Sequence, residues 1–593
     1  MKQFLTTVAG VFVGLILFTV AVPVILIGIV AAASRPAPVE ARSVLALDLR
    51  GALSDQEARG AFSAFRGGGN SVMGIEQTLR RAGADSRVAG LFVRLPEGGM
   101  EPAAADELRL AFKTFRAAGK PILVHSQGLY ADGMVVSTYE LASSSGDLWM
   151  QPASSFQVTG LARQDVFFKR LFDMHGVVAD YQQRYEYKNA VNPYLYSDYT
   201  PAHRESELSW MGSVYETALG AAAADRGKTP AAIRTLIEAG PYSAEDAKAK
   251  GLIDGVGQVN EAQAAILAKA GGGARLLSFD DYAARTRTGA GANLGSPAVA
   301  VISAEGDIMT GRAGADSPLG GGQTIRSDDI ARRFHAAIDD KDVRAIVFRV
   351  SSPGGSDTAS EQILAAVRDA KAAGKPVVVS MGTYGASGGY WIASQASEII
   401  AEPSTLTGSI GVFGGKFALG QALGKFGIDM RGVKVGGDYA DAFGSQSPMT
   451  PSQRVAFGAW MDHIYDGFIG RVAQGRGMAP DRVRQIAKGR VWTGAQARAL
   501  GLVDGVGGFY QAVDRARALA GLKVDAPLRP FDENDSPFDV LRRLFAVGGR
   551  GVGILSSAQN LAADPDARAI LGELADARLR AEGATVLAPR LVR

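Results

Sequence analysis

The sequence predicts an α/β protein in which one βαβ domain is written twice in tandem, behind a single N-terminal membrane span. Three observations carry this reading. Matching segments recur at a near-constant offset, short apolar runs of strand length alternate with helical patterns, and residues 4–33 are almost wholly apolar.

The apolar stretch comes first in the chain. "FLTTVAGVFVGLILFTVAVPVILIGIVAAA" runs from Phe4 to Ala33 with no charge between Lys2 and Arg35. About 20 apolar residues span a bilayer, whereas a cleavable signal has a core of about 7–15. Residues 1–35 are therefore expected to be a transmembrane anchor, kinked at Pro23. "AAAS" at 31–34 keeps cleavage open as the other outcome. Lys2 and the α-amino group predict a cytoplasmic N-terminus, with the rest of the chain across the membrane, on the periplasmic side of a Gram-negative inner membrane.

The duplication comes next. "RAAGKPILV" at 116–124 returns as "KAAGKPVVV" at 371–379, and "VAGLFVR" at 88–94 as "VRAIVFR" at 343–349, both offset by 255 residues. "GLIDGVG" at 251–257 returns as "GLVDGVG" at 501–507, offset by 250. Repeats in the same order define the architecture: a first copy over 44–286, a Gly/Ser/Ala-rich linker over 287–298, a second copy over 299–520, and a C-terminal helical extension over 521–593. Within the second copy, "AVAVISAEG" and "VRAIVFRV" read as buried parallel strands. A helical run follows over "TASEQILAAVRDAKAAG", then strands at "PVVVSM" and "EIIAEP". Such units form parallel sheets with ligands at the carboxyl ends of the strands, where "SPGG" (352–355) and "YGASGG" (384–389) both fall.

Composition narrows the chemistry. The 63 Lys and Arg against 60 Asp and Glu leave a net charge of +3 without a long basic run, so nucleic acid is not an expected partner. There is no cysteine, which removes thiolate nucleophiles and thiolate metal sites. No metal and no cofactor is expected.

Ser387 stands in "MGTYGASGGYWIAS" among Gly382, Gly385, Ala386, Gly388 and Gly389. Two readings fit: a nucleophile on a tight strand-to-helix turn, or the N-cap of a buried helix. As a nucleophile it would have an oxyanion hole nearby, from the N–H of Gly388 and that of Gly355 in "SPGG". Its base is not evident locally. His125, His175, His203, His335 and His463 carry no local signature, and a buried lysine made neutral by desolvation is the alternative.

Aligning the copies sharpens the choice. Tyr384 matches Tyr130 at offset 254, which sets Ser387 opposite Gly133. "YEYKNAV" (185–191) faces "VGGDYAD" (435–441) at offset 250, which sets Lys188 opposite Asp438. Each copy holds what the other lacks, as expected if one working site lies across both.

"SPGGS", "YGASGGYWIAS", "TGSIGVFGG" and "YEYKNAVNPY", together on a duplication, resemble the long form of the signal peptide peptidase A (protease IV) family. The resemblance covers essentially the whole chain. It implies a ClpP/crotonase-like fold and a serine endopeptidase working through a Ser–Lys dyad. It places the nucleophile at Ser387, the general base at Lys188, and a lysine-orienting serine at Ser409, which faces Val158 in the first copy. It further implies remnant signal peptides as substrates and a homo-oligomeric bowl, a homotetramer. Two other classes compete: a crotonase-type acyl-CoA enzyme, which shares the glycine turn but has no need of Ser387, and an inactive membrane scaffold.

Overall fold

Both copies build the same six-stranded parallel core, and the second adds to it. The computed structural model describes residues 39–57, 71–286, 295–312, 324–531 and 586–587. The expected anchor, most of the linker and most of the C-terminal extension lie outside them. Among the described residues no helix is long and apolar enough to cross a membrane.

Besides a short antiparallel pair, Ser155–Phe156 with Tyr242–Ser243, the first copy has β1 (Ser43–Asp48), β2 (Val88–Arg94), β3 (Ile122–Ser126), β4 (Leu148–Met150), β5 (Val178–Arg184), β6 (Gly255–Val256) and β7 (Arg275–Ser278). Their sheet runs β6-β4-β3-β2-β1-β7, and β5 stands outside it. The second copy has β8 (Ala298–Glu305), β9 (Val343–Ser352), β10 (Gly354–Gly355), β11 (Val377–Ala386), β12 (Glu398–Ala401), β13 (Leu406–Gly408), β14 (Val412–Ala418), β15 (Val491–Thr493), β16 (Gly505–Val506) and β17 (Leu528–Pro530). Strands β17-β8-β9-β11-β12-β16 repeat the first order, while β13 and β15 branch from the far end of β11. Strands covered on both faces are rich in apolar residues throughout, and β8 and β9 bury Ile302, Ile346 and Phe348 on one face and Val299 and Val347 on the other.

Each copy has its own core. Phe112, Leu91, Val124 and Tyr139 pack together in the first. Phe348, Ile363, Val379 and Phe468 do so in the second. A third cluster lies on the other face of the second sheet, where Val299, Val301 and Val347 meet Phe509, Val513 and Met73 of the first copy.

Three boundaries differ from the sequence expectation. β8 already begins at Ala298, inside the expected linker. β17 pairs with β8 through Val299↔Leu528, so the second sheet extends beyond residue 520 into the expected helical extension. Further along that extension, Val586–Leu587 forms a strand, β18, antiparallel to β10. The largest departure is β5. It belongs to the first copy by sequence but pairs antiparallel with β14 of the second, from Val178↔Ala418 to Arg184↔Val412.

Candidate active site

The site is built on two strand extensions. β11 does not stop at Met381 but continues to Ala386, held by β13 through Tyr384↔Leu406 and Ala386↔Gly408. Ser387 follows with φ +55°, ψ −118°, a left-handed conformation that an L-residue adopts at a cost. Its N–H donates to the Gly408 carbonyl at 2.8 Å, and its carbonyl accepts from Trp391 N–H at 2.9 Å, opening the helix Gly388–Ala393. The turn admits only small residues after the serine, since a Cβ at Gly389 would drive into the Ser352 carbonyl. Ser387 stands at the N-cap position, but its side chain caps nothing.

The Ser387 hydroxyl is engaged elsewhere. β5, annexed by β14, carries the chain past Arg184 to Lys188, just before the 3₁₀ turn Asn189–Val191. Gly489 of the second copy lies against the Lys188 backbone so closely that no Cβ fits between them. Lys188 Nζ lies 2.7 Å from Ser387 Oγ, 2.9 Å from the Ser409 carbonyl oxygen and 3.0 Å from Ser409 Oγ. Lys188, Ser387 and Ser409 are all fully buried, and they meet within one chain across 199 residues of sequence.

This arrangement fixes the electrostatics. The three hydrogen-bond partners of the Lys188 amine are neutral, and burial holds its pKa well below the usual lysine range. A neutral amine with a lone pair directed at a hydroxyl is a competent general base. Ser409 reaches it through its own left-handed turn, φ +50°, pinned by its N–H to the Arg490 carbonyl at 2.7 Å.

The two glycines flank this pair. Gly355, φ +154°, is held where β10 meets Ile308, and a Cβ there would run into the Ile308 backbone. Gly388 opens the short helix, where N–H groups lack intrahelical partners. A Cβ on Gly388 would come within 3.1 Å of Gly355 N, so the two backbones adjoin.

None of the five histidines is part of this cluster. His125 is buried with Nε2 3.0 Å from the Gly257 carbonyl oxygen, and His203 lies beside Glu207. His335 lies beside Asp369, while His175 and His463 are exposed. Among the described residues no group of acidic or histidine side chains has the geometry to hold a metal ion. Sequence reasoning missed a second buried polar group on the seam between the copies, built around Arg349, Asp55, Glu107 and Glu402. Its only signal was a charged residue, Arg349, inside the apolar run "VRAIVFRV".

Comparison with known proteins matches residues 114–271 and 369–523 to the model of peptidase family S49. The chain is 34% identical over 508 residues to "Protease 4" of Salmonella typhi, covering 82% of this chain and 79% of that one. It is 28% identical over 491 residues to "Serine protease SPPA, chloroplastic" of Arabidopsis thaliana, covering 82% and 70%. Among solved structures it is similar to "ClpP1 N165D mutant from Listeria monocytogenes", at 12% identity and a TM-score of 0.23 over 36% of this chain and 94% of that one.

Proposed function

The chain belongs to peptidase family S49 and is a serine peptidase, and from that premise we propose that it is a membrane-anchored endopeptidase that degrades cleaved signal peptides through Ser387 and Lys188. One observation carries the catalytic part: the desolvated Lys188 amine lies 2.7 Å from the hydroxyl of a serine on a strained turn.

The mechanism follows from the positions. Lys188 accepts the Ser387 proton, and the alkoxide attacks the scissile carbonyl. Gly355 and Gly388 N–H groups receive the oxyanion, where one donor is worth about 100- to 1,000-fold in rate. Lys188 returns the proton to the leaving amine and then activates the water that releases the acyl group. Ser409 holds the amine in place through its carbonyl and hydroxyl oxygens.

Substrate binds extended, adding a strand at the edge of β10. Backbone pairing of Val586–Leu587 with Gly354–Gly355 supports this, since that edge already accepts an antiparallel strand of the chain itself. The apolar segment 1–35 anchors the protein, with both copies on the periplasmic side. A homotetrameric bowl with inward-facing sites would admit short apolar peptides and exclude folded proteins.

The test uses the full chain in detergent micelles with a fluorophosphonate probe and a synthetic signal peptide. Labelling at Ser387 is expected, with cleavage lost in both Ser387→Ala and Lys188→Ala. Full cleavage by Lys188→Ala would remove the dyad. A chain that cleaves unstructured hydrophilic peptides as fast as the signal peptide would remove the substrate assignment.

A further inference from the structure

The seam between the copies holds more carboxyl groups than its cations can neutralise. Arg349, on β9, is 1% exposed. It donates to both oxygens of Asp55, to Glu107 Oε2 at 2.9 Å and to Ser380 Oγ at 2.9 Å. Asp55 and Glu107 come from the first copy. Glu107 Oε1 also accepts the Phe509 N–H at 2.6 Å, at the start of the helix Phe509–Leu519.

Two more carboxyls converge on Glu107. Glu402 of the second copy and Glu76 of the first lie against it. Gly508 sits beneath the first pair, and a Cβ there would collide with Oε1 of both Glu107 and Glu402. Among the described residues no N–H or hydroxyl reaches either Glu402 oxygen, nor Oε2 of Glu76. Two carboxyl groups in contact in a buried site cannot both be ionised, so one of each pair must carry a proton.

The neighbouring charges do not relieve this. Asp106 faces Glu402 from the same helix as Glu107, accepts the Ser404 N–H at 2.8 Å, and lies beside Glu140. Glu305 accepts the N–H groups of Asp55 and Gln56. Arg80 lies near Glu76, and Arg109 near Asp106 and Glu140, where it is also paired to Asp225.

We infer that a proton shared between Glu107 and Glu402 clamps the two copies together and thereby positions Lys188 against Ser387. The mechanical link is short. The segment after Glu402 is tied back by Glu402 N–H to Thr405 Oγ1 and by Thr405 Oγ1 to the Gly382 carbonyl. It then runs through β13 to Gly408 and Ser409, whose carbonyls receive the Ser387 N–H and the Lys188 amine. Loss of the proton sets two like charges against each other across the seam, seven residues from the lysine's acceptor.

The direction with pH follows. Burial first, then Glu107, raises Glu402 well above the usual carboxyl range, and burial likewise raises Glu76. In the same seam Asp106 is raised to about 6 and Glu305 to about 7. A group whose folded pKa is raised contributes stability that is complete below its unfolded pKa and is lost as pH rises through the folded one. The seam therefore weakens from about pH 4 upward through neutrality and beyond, opposite in sign to the buried lysine.

The inference rests on the Ser387–Lys188 reading for its catalytic half, and the test keeps the two apart. Thermal unfolding and peptide hydrolysis are followed from pH 5 to 9 for the full chain in micelles, as wild type, Glu402→Gln and Glu402→Leu. Gln carries the donor of the protonated acid with no charge to lose. The wild type is expected to lose melting temperature toward pH 9, with Glu402→Gln at least about 3 °C above it there. The gap in melting temperature is expected to narrow steadily from pH 9 down to pH 5, kcat is expected to match the wild type at pH 6, and the kcat of Glu402→Gln is expected to hold at alkaline pH where the wild type falls. Glu402→Leu, which leaves Glu107 without the donor, is expected to melt lower at every pH. Coincident wild-type and Glu402→Gln profiles in melting temperature would overturn the clamp. If the melting curves separate as expected but kcat does not, the clamp stands and its positioning role is overturned. If no variant cleaves peptide at any pH, the catalytic reading fails while the melting curves still decide the clamp.

Discussion

The first copy keeps the turn that holds Ser387 without the serine. Gly133 stands at φ +56° where Ser387 stands at +55°, so the backbone geometry belongs to the fold and the hydroxyl to one residue of one copy. The other half of the pair is divided in the opposite sense. Lys188 is fully buried against Ser387, whereas Asp438 is exposed and bonds Ser452 and Thr450 beside it. Arg94 donates to Gln127 at 2.7 Å within the first copy, while its counterpart Arg349 reaches across the seam to Asp55 and Glu107. The Ser387–Lys188 pair is drawn from both copies.

The sharpest way to break this contrast is at the lysine. Lys188→Met is expected to abolish hydrolysis, on the order of 10⁴-fold or more, as for removal of a member of a nucleophile–base unit. The same change should stabilise the fold. The folded lysine pKa is depressed, so the unfolded chain binds a proton that the folded chain does not, and stability rises with pH up to the usual lysine range. Met removes that penalty. The expected gain grows as pH falls below the usual lysine range and vanishes toward pH ~10. Calorimetry across pH checks it, and a destabilised Lys188→Met with an unchanged pH slope would contradict the buried neutral amine.

A smaller effect separates the two glycine turns. In Gly355→Ala and in Gly99→Ala alike, the new Cβ meets backbone, that of Ile308 or that of Met134. Both should lose about 1–3 kcal/mol of stability. Only Gly355→Ala should also lose kcat, by about 100- to 1,000-fold with little change in KM. Equal kcat losses in the two would mean that the turn at Gly355 acts through folding alone.

Ser409→Ala is expected to lower kcat about tenfold, the worth of one hydrogen bond. It should also move the activity profile toward lower pH, because the ammonium form loses an acceptor while burial is unchanged. A profile moved toward higher pH would contradict that orientation. The smallest effect is Gly133→Ser, which restores the missing hydroxyl to the first copy but brings it no lysine. Hydrolysis should stay unchanged, and the double variant with Ser387→Ala should remain inactive.

The duplication, the alternation of strands and helices, and the position of the "SPGG" and "YGASGG" turns at strand ends were all legible in the sequence. They depend on local pattern: apolar runs, glycines at turns, and repeated words. The opposition of Ser387 to Gly133 and of Lys188 to Asp438 was legible too, because repeats supply their own alignment. What the sequence left open was how residues 199 positions apart meet. That was decided by β5 leaving its own copy to pair with β14, a register set by long-range backbone bonding that no local periodicity encodes. The extent of β11 past Met381 and the seam around Arg349 were likewise hidden. A strand's end and a buried charge's partners are fixed by which distant segments pack beside them. The sequence by itself determined two copies of one α/β unit and the residue types available for chemistry. The tertiary structure decided that Lys188 of one copy meets Ser387 of the other, because only packing across the seam takes Lys188 out of water and sets its amine beside a hydroxyl.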